Sequence, residues 1–307
     1  MRVLVTGASG FIGRELTGTL AAAGFHVRAA ARNPARVPAA EFVEAVQMPD
    51  LSRPVDWRPF LADVDAVVHL AGLARVSAEI PEAQYDRLNR VATKELALQA
   101  SLAPNVRRLV FMSSIRAQIG VGTDHLVTED DVPEPIDAYG RSKLAAESFV
   151  RGYGVPYTIL RPVQTFGREP RGNVAKLVRL SSLPLPLPLG AFRKKRSLLA
   201  LENLLSAIRF VLERPATAGQ VYIVADPLPI SLAEIIETLR RARDRSPKLI
   251  SIPEGWVGAA MRGLGQTEAW DRIQTSFVAD ITKLRDAGWH PETDTRLALE
   301  RLARGET

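Results

Sequence analysis

The sequence contains no cysteine in 307 residues, which excludes disulfide bonds and thiolate zinc sites and is typical of a reducing compartment. It also lacks an apolar run near the ~20 residues needed to span a bilayer, so no membrane partner is predicted. No signal peptide is visible before the first β-rich stretch, so a cytoplasmic location is expected. Because His26, His125 and His290 have no neighbours at metal-ligand spacing, no metal site is predicted.

The formal net charge of +6 is compatible with three anionic partners: nucleic acid, a membrane surface or a phosphorylated small molecule. Most Lys and Arg residues are scattered, which is typical of a solvated surface, and the exception is the basic run from Arg193 to Arg196. The chain has neither the aromatic stretches of RNA-recognition motifs nor zinc-finger spacing. We therefore expect no nucleic-acid partner.

The first half alternates short β-rich runs with helical stretches, which predicts an α/β fold with a doubly wound parallel sheet of Rossmann type. Strands are predicted over residues 2–6, 26–30, 42–47, 66–70, 108–112 and 157–160, and helices over residues 11–23, 85–102 and 138–150. We predict a Rossmann domain over residues 1–165, joined by parts of 196–225, and a smaller mixed lobe over residues 166–307.

The composition of the chain changes after Arg161, where residues 167–190 are rich in Gly, Pro and Leu. Residues 183–188 alternate Leu with Pro, which is compatible with a proline-rich partner motif or with a buried extended loop, and the apolar alternation favours the loop. An amphipathic helix is predicted over residues 232–242, with Ser231 as its N-cap and Glu234 completing a capping box.

Three glycines, Gly7, Gly10 and Gly13, lie between the first strand and the first helix. A helix N-terminus presents free N–H groups and a positive dipole end to a pyrophosphate. Gly7 permits the tight turn, Gly10 lets the backbone approach the phosphates, and Gly13 lets the helix pack closely on the strand. We predict an NAD(P)-binding loop that also includes Ser9, Phe11 and Ile12.

Arg32 follows the second strand, where NAD-binding proteins usually have an acid that holds the ribose 2′-hydroxyl. Residues 27–33 contain no acid, and a guanidinium matches a 2′-phosphate, although Arg32 also fits a solvated loop. The sequence therefore favours NADP slightly over NAD. Further residues expected to line the cofactor follow strands three and four: Asp50, Leu51, Leu70, Ala71 and Gly72.

Tyr139 and Lys143 have the spacing Y-x-x-x-K, which puts both side chains on one face of a helix. A nearby ammonium is expected to lower the pKa of the tyrosine, which is ordinarily ~10, and to make it a usable acid and base. Lys143 is also expected to hydrogen-bond the nicotinamide ribose. The pair predicts proton exchange with a substrate hydroxyl or carbonyl while a hydride moves to or from the nicotinamide.

With these motifs, nearly the whole chain resembles the extended short-chain dehydrogenase/reductases, and within them the NAD(P)-dependent epimerase/dehydratase family that acts on nucleotide sugars. The resemblance rests on residues 6–13, 69–72, Asn89, Ser113 and Ser114, 139–143, 160–162, 196–199, 202–204 and 288–291. It implies a catalytic triad in which a hydroxyl residue after strand five joins Tyr139 and Lys143. It also implies that Arg196, and further along Arg272, contact a nucleotide diphosphate. Arg196 could instead pair with a surface carboxylate.

Two positions depart from the family pattern. Many relatives place a third hydroxyl residue where this chain has Ile115, so Ser114 becomes the expected third member of the triad, with Ser113 as the alternative. The second departure is Arg32 with no acid nearby, which differs from epimerases that retain NAD strongly. Asn89 is expected to be structural, and His69 to pack beside the cofactor.

The resemblance implies a nucleotide-sugar epimerase that transfers a hydride at a sugar carbon, C4, through a keto intermediate. An NADPH-dependent reductase of a 4-keto nucleotide sugar uses the same residues, and a non-catalytic dinucleotide-sensing protein is the third hypothesis. Relatives often dimerise through two helices of the first domain, here residues 85–102 and 138–150, so a homodimer is a further expectation.

Overall fold

A computed structural model describes residues 1–306 except 75, 76, 78, 121, 124, 171, 264, 266, 268, 269 and 271–274. A seven-stranded sheet forms its centre, and every pairing within it is parallel. Its strands, numbered here in chain order, are β1 (Arg2–Thr6), β2 (His26–Ala31), β3 (Val43–Gln47), β4 (Ala66–His69), β5 (Arg108–Met112), β6 (Tyr157–Pro162) and β7 (Gln220–Val224). Their order across the sheet is β3-β2-β1-β4-β5-β6-β7. The predicted doubly wound parallel sheet is confirmed.

Helices cover both faces of this sheet. They are α1 (Phe11–Ala22), α2 (Arg58–Leu61), α3 (Glu82–Tyr85), α4 (Ala92–Leu102), α5 (Ala138–Gly152), α6 (Gly172–Ser182), α7 (Leu201–Glu213), α8 (Leu232–Arg241), α9 (Glu254–Gly263), α10 (Thr282–Asp286) and α11 (Thr295–Arg304). Among the described residues, none of them is long and apolar enough to cross a membrane.

Alternation along β1 shows how the two layers form. Val3 and Val5 belong to the apolar cluster that includes residues of α1 and α7, whereas Leu4 belongs to the cluster that includes residues of α4 and α5. Both faces of each central strand are therefore buried, which explains why the strands read as continuous apolar runs. Because the strand order reverses between β1 and β4, the carboxyl ends of these strands border the crevice where such sheets bind ligands.

The helix predicted over residues 85–102 begins earlier and is interrupted. It starts with α3 at Glu82, continues through a π-helical turn at Asp86–Val91, and passes directly into α4. The turn contains Asn89, whose side chain is fully buried. Such π turns are often found at functional sites because the extra residue changes where a side chain points.

The proline-rich segment is only partly buried, contrary to the prediction. Leu187 and Leu189 pack into an apolar cluster with residues of α8, but Leu183 and Leu185 are exposed. Arg240 provides the physical reason, because its buried guanidinium donates hydrogen bonds to the carbonyl oxygens of Leu183 and Leu185, both at 2.9 Å. These bonds hold the backbone carbonyl groups toward the buried Arg240, and the side chains of Leu183 and Leu185 remain exposed to solvent.

The remaining strands have two residues each and form pairs outside the main sheet. Lys195–Arg196 pairs antiparallel with Ile230–Ser231, Thr165–Phe166 pairs with Leu199–Ala200, and Leu126–Val127 pairs with Val278–Ala279. The predicted capping box at the start of α8 is present, with Ser231 and Glu234 bonded in both directions.

Candidate active site

The glycine loop after β1 is closed by its own backbone. Gly7 has φ +73°, and its carbonyl oxygen accepts a 2.9 Å hydrogen bond from the Gly10 amide. A Cβ on Gly13 would clash with the Gly7 carbonyl, and one on Gly7 would lie 2.9 Å from the Ala71 amide nitrogen. Gly10 caps α1 without a side-chain hydrogen bond, and the first turn has no acid. The loop therefore fits a pyrophosphate, because the first amides of α1 would donate hydrogen bonds to its oxygens.

Ser9, Phe11 and Ile12 are half-buried in and beside this loop, and Phe11 and Ile12 pack against the apolar core. Arg32 is exposed directly after β2, where its carbonyl oxygen accepts a 2.9 Å bond from Gln47 Nε2. Its guanidinium thus remains on the surface at the carboxyl edge of the sheet, where the sequence predicts the adenosine ribose.

Asp50 and Leu51 have different surroundings beyond β3. Leu51 is buried in the core, whereas the exposed Asp50 carboxylate accepts hydrogen bonds from Ser52 N at 2.9 Å and Ser52 Oγ at 2.8 Å. These bonds lower the pKa of Asp50, mainly through the backbone amide. The carboxylate is therefore fixed as an anion by its own turn.

The segment after β4 brings the cofactor loop next to Lys143. Leu70 is half-buried and Ala71 is buried, and the Ala71 amide donates to Thr6 Oγ1 at 3.2 Å. A Cβ on Gly72 would lie 2.7 Å from Asn89 Oδ1 and 3.6 Å from Lys143 Nζ. The absence of a side chain at Gly72 thus opens space in front of the lysine.

Asn89 ties this segment to α5. Its Oδ1 accepts from the Leu73 amide at 2.7 Å, and its Nδ2 donates to Leu73 O at 3.1 Å and to Ser142 Oγ at 3.0 Å. Asn89 therefore has the structural bonds that the sequence indicated.

His69 at the end of β4 is fully buried. Its ring nitrogens bond Thr6 Oγ1 at 2.7 Å and Thr93 Oγ1 at 3.1 Å. Burial, with a smaller contribution from the charge of Lys143, lowers the pKa of His69 to about 3. The ring is therefore neutral near pH 7, which fits a packing role better than an acid or base role.

Tyr139 and Lys143 lie on the buried face of α5, as their spacing predicts. Lys143 Nζ donates to the Met112 carbonyl oxygen at 2.8 Å and lies 4.9 Å from the centre of the Phe111 ring. Burial lowers the pKa of Lys143 to about 8, and Glu147 opposes this shift.

The expectation that the pKa of Tyr139 falls below its usual value is wrong for the isolated chain. Burial raises this pKa, and the neighbouring Ser114 hydroxyl only partly offsets the effect. The physical reason is that the phenolate loses its hydration in a buried site, and the Lys143 ammonium donates its bond to Met112 O instead.

The two serines after β5 have different partners. Ser114 lies next to Tyr139 and lowers its pKa, and the Ser114 Oγ accepts a hydrogen bond from the Arg116 amide at 3.2 Å. Ser113 Oγ donates a 2.5 Å hydrogen bond to Oε1 of Glu147, which lies on the same helix as Tyr139. Ile115 is buried in the 3₁₀ turn Ile115–Ala117 that follows. The structure thus brings Ser114 to the tyrosine and turns Ser113 away from it.

The segment Ser113–Arg116, called the serine segment below, is attached to the start of α5 by Arg116. Its guanidinium donates to Asp137 Oδ2, and Asp137 Oδ1 caps α5 by accepting from the Gly140 amide at 2.7 Å. A Cβ on Gly140 would clash with the Arg116 carbonyl oxygen, so only glycine permits this approach. Arg116, Asp137 and Gly140 were not singled out from the sequence, although Gly140 lies inside the Y-x-x-x-K motif.

Arg196 lies on the short strand Lys195–Arg196, where its backbone bridges Ile230 and Phe277. Its side chain is partly buried, and burial lowers the pKa of its guanidinium. The neighbouring Lys195 is bound to Glu234 through Nζ at 2.6 Å. Arg272 lies outside the described residues.

Comparisons with known proteins show the family to which the chain belongs. The family model described as "NAD dependent epimerase/dehydratase family" matches residues 3–225. A UDP-glucose 4-epimerase from Vibrio cholerae is 31% identical over 305 residues, covering 94% of this chain and 90% of that protein. A 4-hydroxy-2-methyl-3-oxo-4-farnesyl-3,4-dihydroquinoline-1-oxide ketoreductase from Stigmatella aurantiaca is 27% identical, covering 82% of this chain and 76% of that protein.

Among solved structures, a UDP-glucuronic acid 4-epimerase from Bacillus cereus in complex with NAD has a TM-score of 0.78 at 20% identity. The match covers 99% of this chain and 96% of that chain, and at this identity it concerns the fold. The sequence resemblance is thus confirmed: the chain belongs to the NAD dependent epimerase/dehydratase family and is an NAD(P)-dependent enzyme of that type.

Proposed function

We propose that the protein is a nucleotide-sugar 4-epimerase that acts by reversible hydride transfer at the sugar C4 through a keto intermediate. The observation that carries this proposal is the pair Tyr139 and Lys143 on the buried face of α5, with Ser114 next to Tyr139, where it lowers the pKa of the phenol. The Vibrio cholerae relative is a UDP-glucose 4-epimerase, which supports the same reaction class.

The residues of this site have separate roles in proton transfer and in holding the substrate and cofactor. Tyr139, once it has lost its own proton, takes the proton of the C4 hydroxyl and later returns it, while Ser114 holds the reacting oxygen by a hydrogen bond. NAD(P), when bound, supplies the nicotinamide that accepts the C4 hydride and gives it back. Lys143 would hold the nicotinamide ribose, and Ser114 and Arg116 are the neighbours that favour the Tyr139 phenolate. When Tyr139 gives the proton back to the reacting oxygen, the protein would return to its starting protonation state, with C4 inverted in the product.

The nucleotide diphosphate is assigned to Arg196 and Arg272, within a substrate-binding lobe over residues 166–307. A partly buried guanidinium such as that of Arg196 is suited to a phosphate because its planar donors match the phosphate oxygens. A homodimer through α4 and α5 stays a prediction.

The test is to incubate the purified protein with UDP-glucose, UDP-N-acetylglucosamine and UDP-glucuronic acid, and to separate the products by chromatography. We expect one of them to interconvert with its C4 epimer while absorbance at the nicotinamide band stays unchanged over many turnovers. Net consumption of NADPH, or no conversion of any sugar nucleotide, would contradict an epimerase.

A reductase of a 4-keto nucleotide sugar is the second candidate. It is favoured by the exposed Arg32 at the end of β2 and by the absence of an acid there, since a reductase typically consumes NADPH. The ketoreductase among the relatives supports it as well. It predicts stoichiometric oxidation of NADPH when the keto sugar is added.

The cofactor preference is tested at Arg32. We expect Arg32→Ala to weaken NADPH binding about tenfold or more and to leave NADH binding nearly unchanged, because only NADPH has the 2′-phosphate. Arg285→Ala, at another exposed arginine on α10, is the control. Titration of nicotinamide fluorescence measures both affinities. Equal losses for NADPH and NADH would contradict the NADP preference.

A further inference from the structure

A buried ion pair lies beside the site and is not used by the mechanism above. Glu147 on α5 and Arg161 on β6 have side chains that are 1% and 2% exposed. Arg161 Nη2 lies 2.6 Å from Glu147 Oε2, and Arg161 Nε lies 2.9 Å from Oε1. This is the two-point geometry in which a guanidinium and a carboxylate hold each other most rigidly.

The same carboxylate reaches the segment that carries the hydroxyl of the proposed triad. Glu147 Oε1 also accepts the 2.5 Å hydrogen bond from Ser113, the residue directly before Ser114. The residue before Ser113 is Met112, whose carbonyl oxygen receives the bond from Lys143. A shift of Ser113 would therefore move the partners of both Tyr139 and Lys143.

Glu147 is one helical turn beyond Lys143, so the ion pair reaches the site from a second side as well. α5 presents Tyr139, Lys143 and Glu147 along one face, and β6 supplies the arginine that fixes the last of them. We propose that Glu147 and Arg161 are positioning residues that hold the Ser113–Ser114 segment and the Lys143 ammonium in their working arrangement. This inference rests on the proposed function for its kinetic consequence.

The charges around Lys143 support this role. Burial lowers the pKa of Lys143, and the neutral His69 ring offers no negative charge to oppose this shift. The carboxylate of Glu147 is the group that raises the pKa of Lys143. Glu147 itself faces Arg161 and, at 3.3 Å, Arg151. Removal of the carboxylate therefore lowers the pKa of Lys143 further below about 8.

A simple structural role must be separated from positioning, because loss of one partner leaves the other charge buried and destabilises a fold strongly. The double variant Glu147→Gln with Arg161→Gln removes both charges and keeps polar side chains of similar reach. Arg108→Gln is the matched control, since Arg108 is a buried arginine at the opposite end of β5 and bonds only uncharged oxygens in the described residues.

Three quantities are measured for each variant: the melting temperature, the affinity for NADH from pH 6 to 10 by nicotinamide fluorescence, and kcat and KM for epimerisation. In the double variant we expect the pH at which NADH affinity falls to move down by about one unit, because Glu147 is the charged group that raises the pKa of Lys143. We expect kcat to fall about tenfold or more with little change in KM. In Arg108→Gln we expect a lower melting temperature and unchanged values for the other quantities.

A double variant that keeps the wild-type pH dependence and kcat would overturn the proposal. If the double variant does not fold, the variant Ser113→Ala tests the proposal instead, because it leaves the ion pair between Glu147 and Arg161 intact. We expect kcat to fall about tenfold in Ser113→Ala at nearly unchanged melting temperature, and Ser113→Thr, which keeps the hydroxyl, to restore most of it. Wild-type kcat in Ser113→Ala overturns positioning of the serine segment.

The proposed function and this inference fail separately. If the wild-type protein epimerises no sugar nucleotide, the proposed function is wrong, but the NADH titration still tests the link between Glu147 and Lys143. If the protein is an epimerase and the double variant has the wild-type NADH profile, only the inference is wrong.

Discussion

Tyr139 and Lys143 are both buried on one face of α5, and burial shifts the pKa of each away from its charged form. The phenol is held protonated, whereas the ammonium loses its proton at about pH 8 instead of 10.5. Both shifts have the same cause, because a buried site disfavours the charged form of each group. Ser114 is the polar neighbour that favours the phenolate.

The hydroxyl of Tyr139 is predicted to carry the proton transfer. Tyr139→Phe removes that hydroxyl and keeps the ring, so we expect kcat to fall about 10²–10⁴-fold, as for loss of a general acid and base. Affinity for NADH should stay within about twofold. Tyr153→Phe, at the end of the same helix, is the control and should be neutral. Wild-type turnover by Tyr139→Phe would remove the mechanism.

The charge of Lys143 makes a pH-dependent prediction. With a pKa of about 8 in the folded chain, Lys143 is an ammonium below pH 8 and neutral above it. Since the ammonium is the form that binds the ribose hydroxyls most strongly, NADH affinity should fall as pH rises through about 8. Lys143→Met should bind weakly and show no such fall. The same pH dependence in both proteins would contradict the assignment.

At the scale of elements, α5 is the part of the fold onto which the serine segment is aligned. Met112, Ser113, Ser114 and Arg116 each contact a different residue of the α5 region, namely Lys143, Glu147, Tyr139 and Asp137. These contacts join the carboxyl end of β5 to a helix about 30 residues later. Rigid elements supply the alignment, as a site that must hold reacting groups in fixed geometry requires.

Gly140 tests this alignment. Gly140→Ala should push the Arg116 carbonyl and the serine segment away from α5, because the added Cβ has no space. We expect a loss of about 1–3 kcal/mol in the free energy of unfolding, and about a tenfold lower kcat.

The control is Gly152→Ala in the same helix, where a Cβ meets nothing within 4 Å. Alanine is the better helix former, so this change should stabilise the protein by roughly 0.5–1 kcal/mol. Urea unfolding and steady-state kinetics measure both variants. Equal behaviour of the two variants would show that the close approach at Gly140 has no consequence.

For the whole molecule, the buried His69 couples stability to pH. An unfolded histidine binds a proton near pH 6.5, whereas the folded His69 does so only at about 3. Between these values the unfolded chain carries more protons, so acidification favours unfolding. Asp226 acts in the opposite direction, since burial raises its pKa to about 6 and its contribution to stability is lost as pH rises from 3.8 through 6.

A comparison with His69→Asn isolates the histidine, because other groups titrate equally in both proteins. From pH 7 to pH 4, the wild-type protein should lose about 3 kcal/mol more unfolding free energy than the variant, at about 1.4 kcal/mol per unit of pKa difference. Urea unfolding at several pH values measures this difference. A constant difference between the two proteins across this range would contradict the depressed pKa.

The sequence by itself determined the features that depend on local order. The glycine loop, the alternation of strands and helices, and the Tyr139–Lys143 pair all follow from residues a few positions apart, so their placement could be predicted. Strand ends differed by one or two residues, and the π-helical turn around Asn89 was not foreseen because no local pattern distinguishes it.

The tertiary structure alone decided which residues meet across the fold. Ser113 and Glu147 are 34 residues apart, and Arg161 reaches Glu147 from another strand, so no spacing rule could pair them. It also decided the direction of the pKa of Tyr139, because desolvation depends on the burial produced by distant segments. The sequence specified the reacting groups, and the fold specified their protonation and their neighbours.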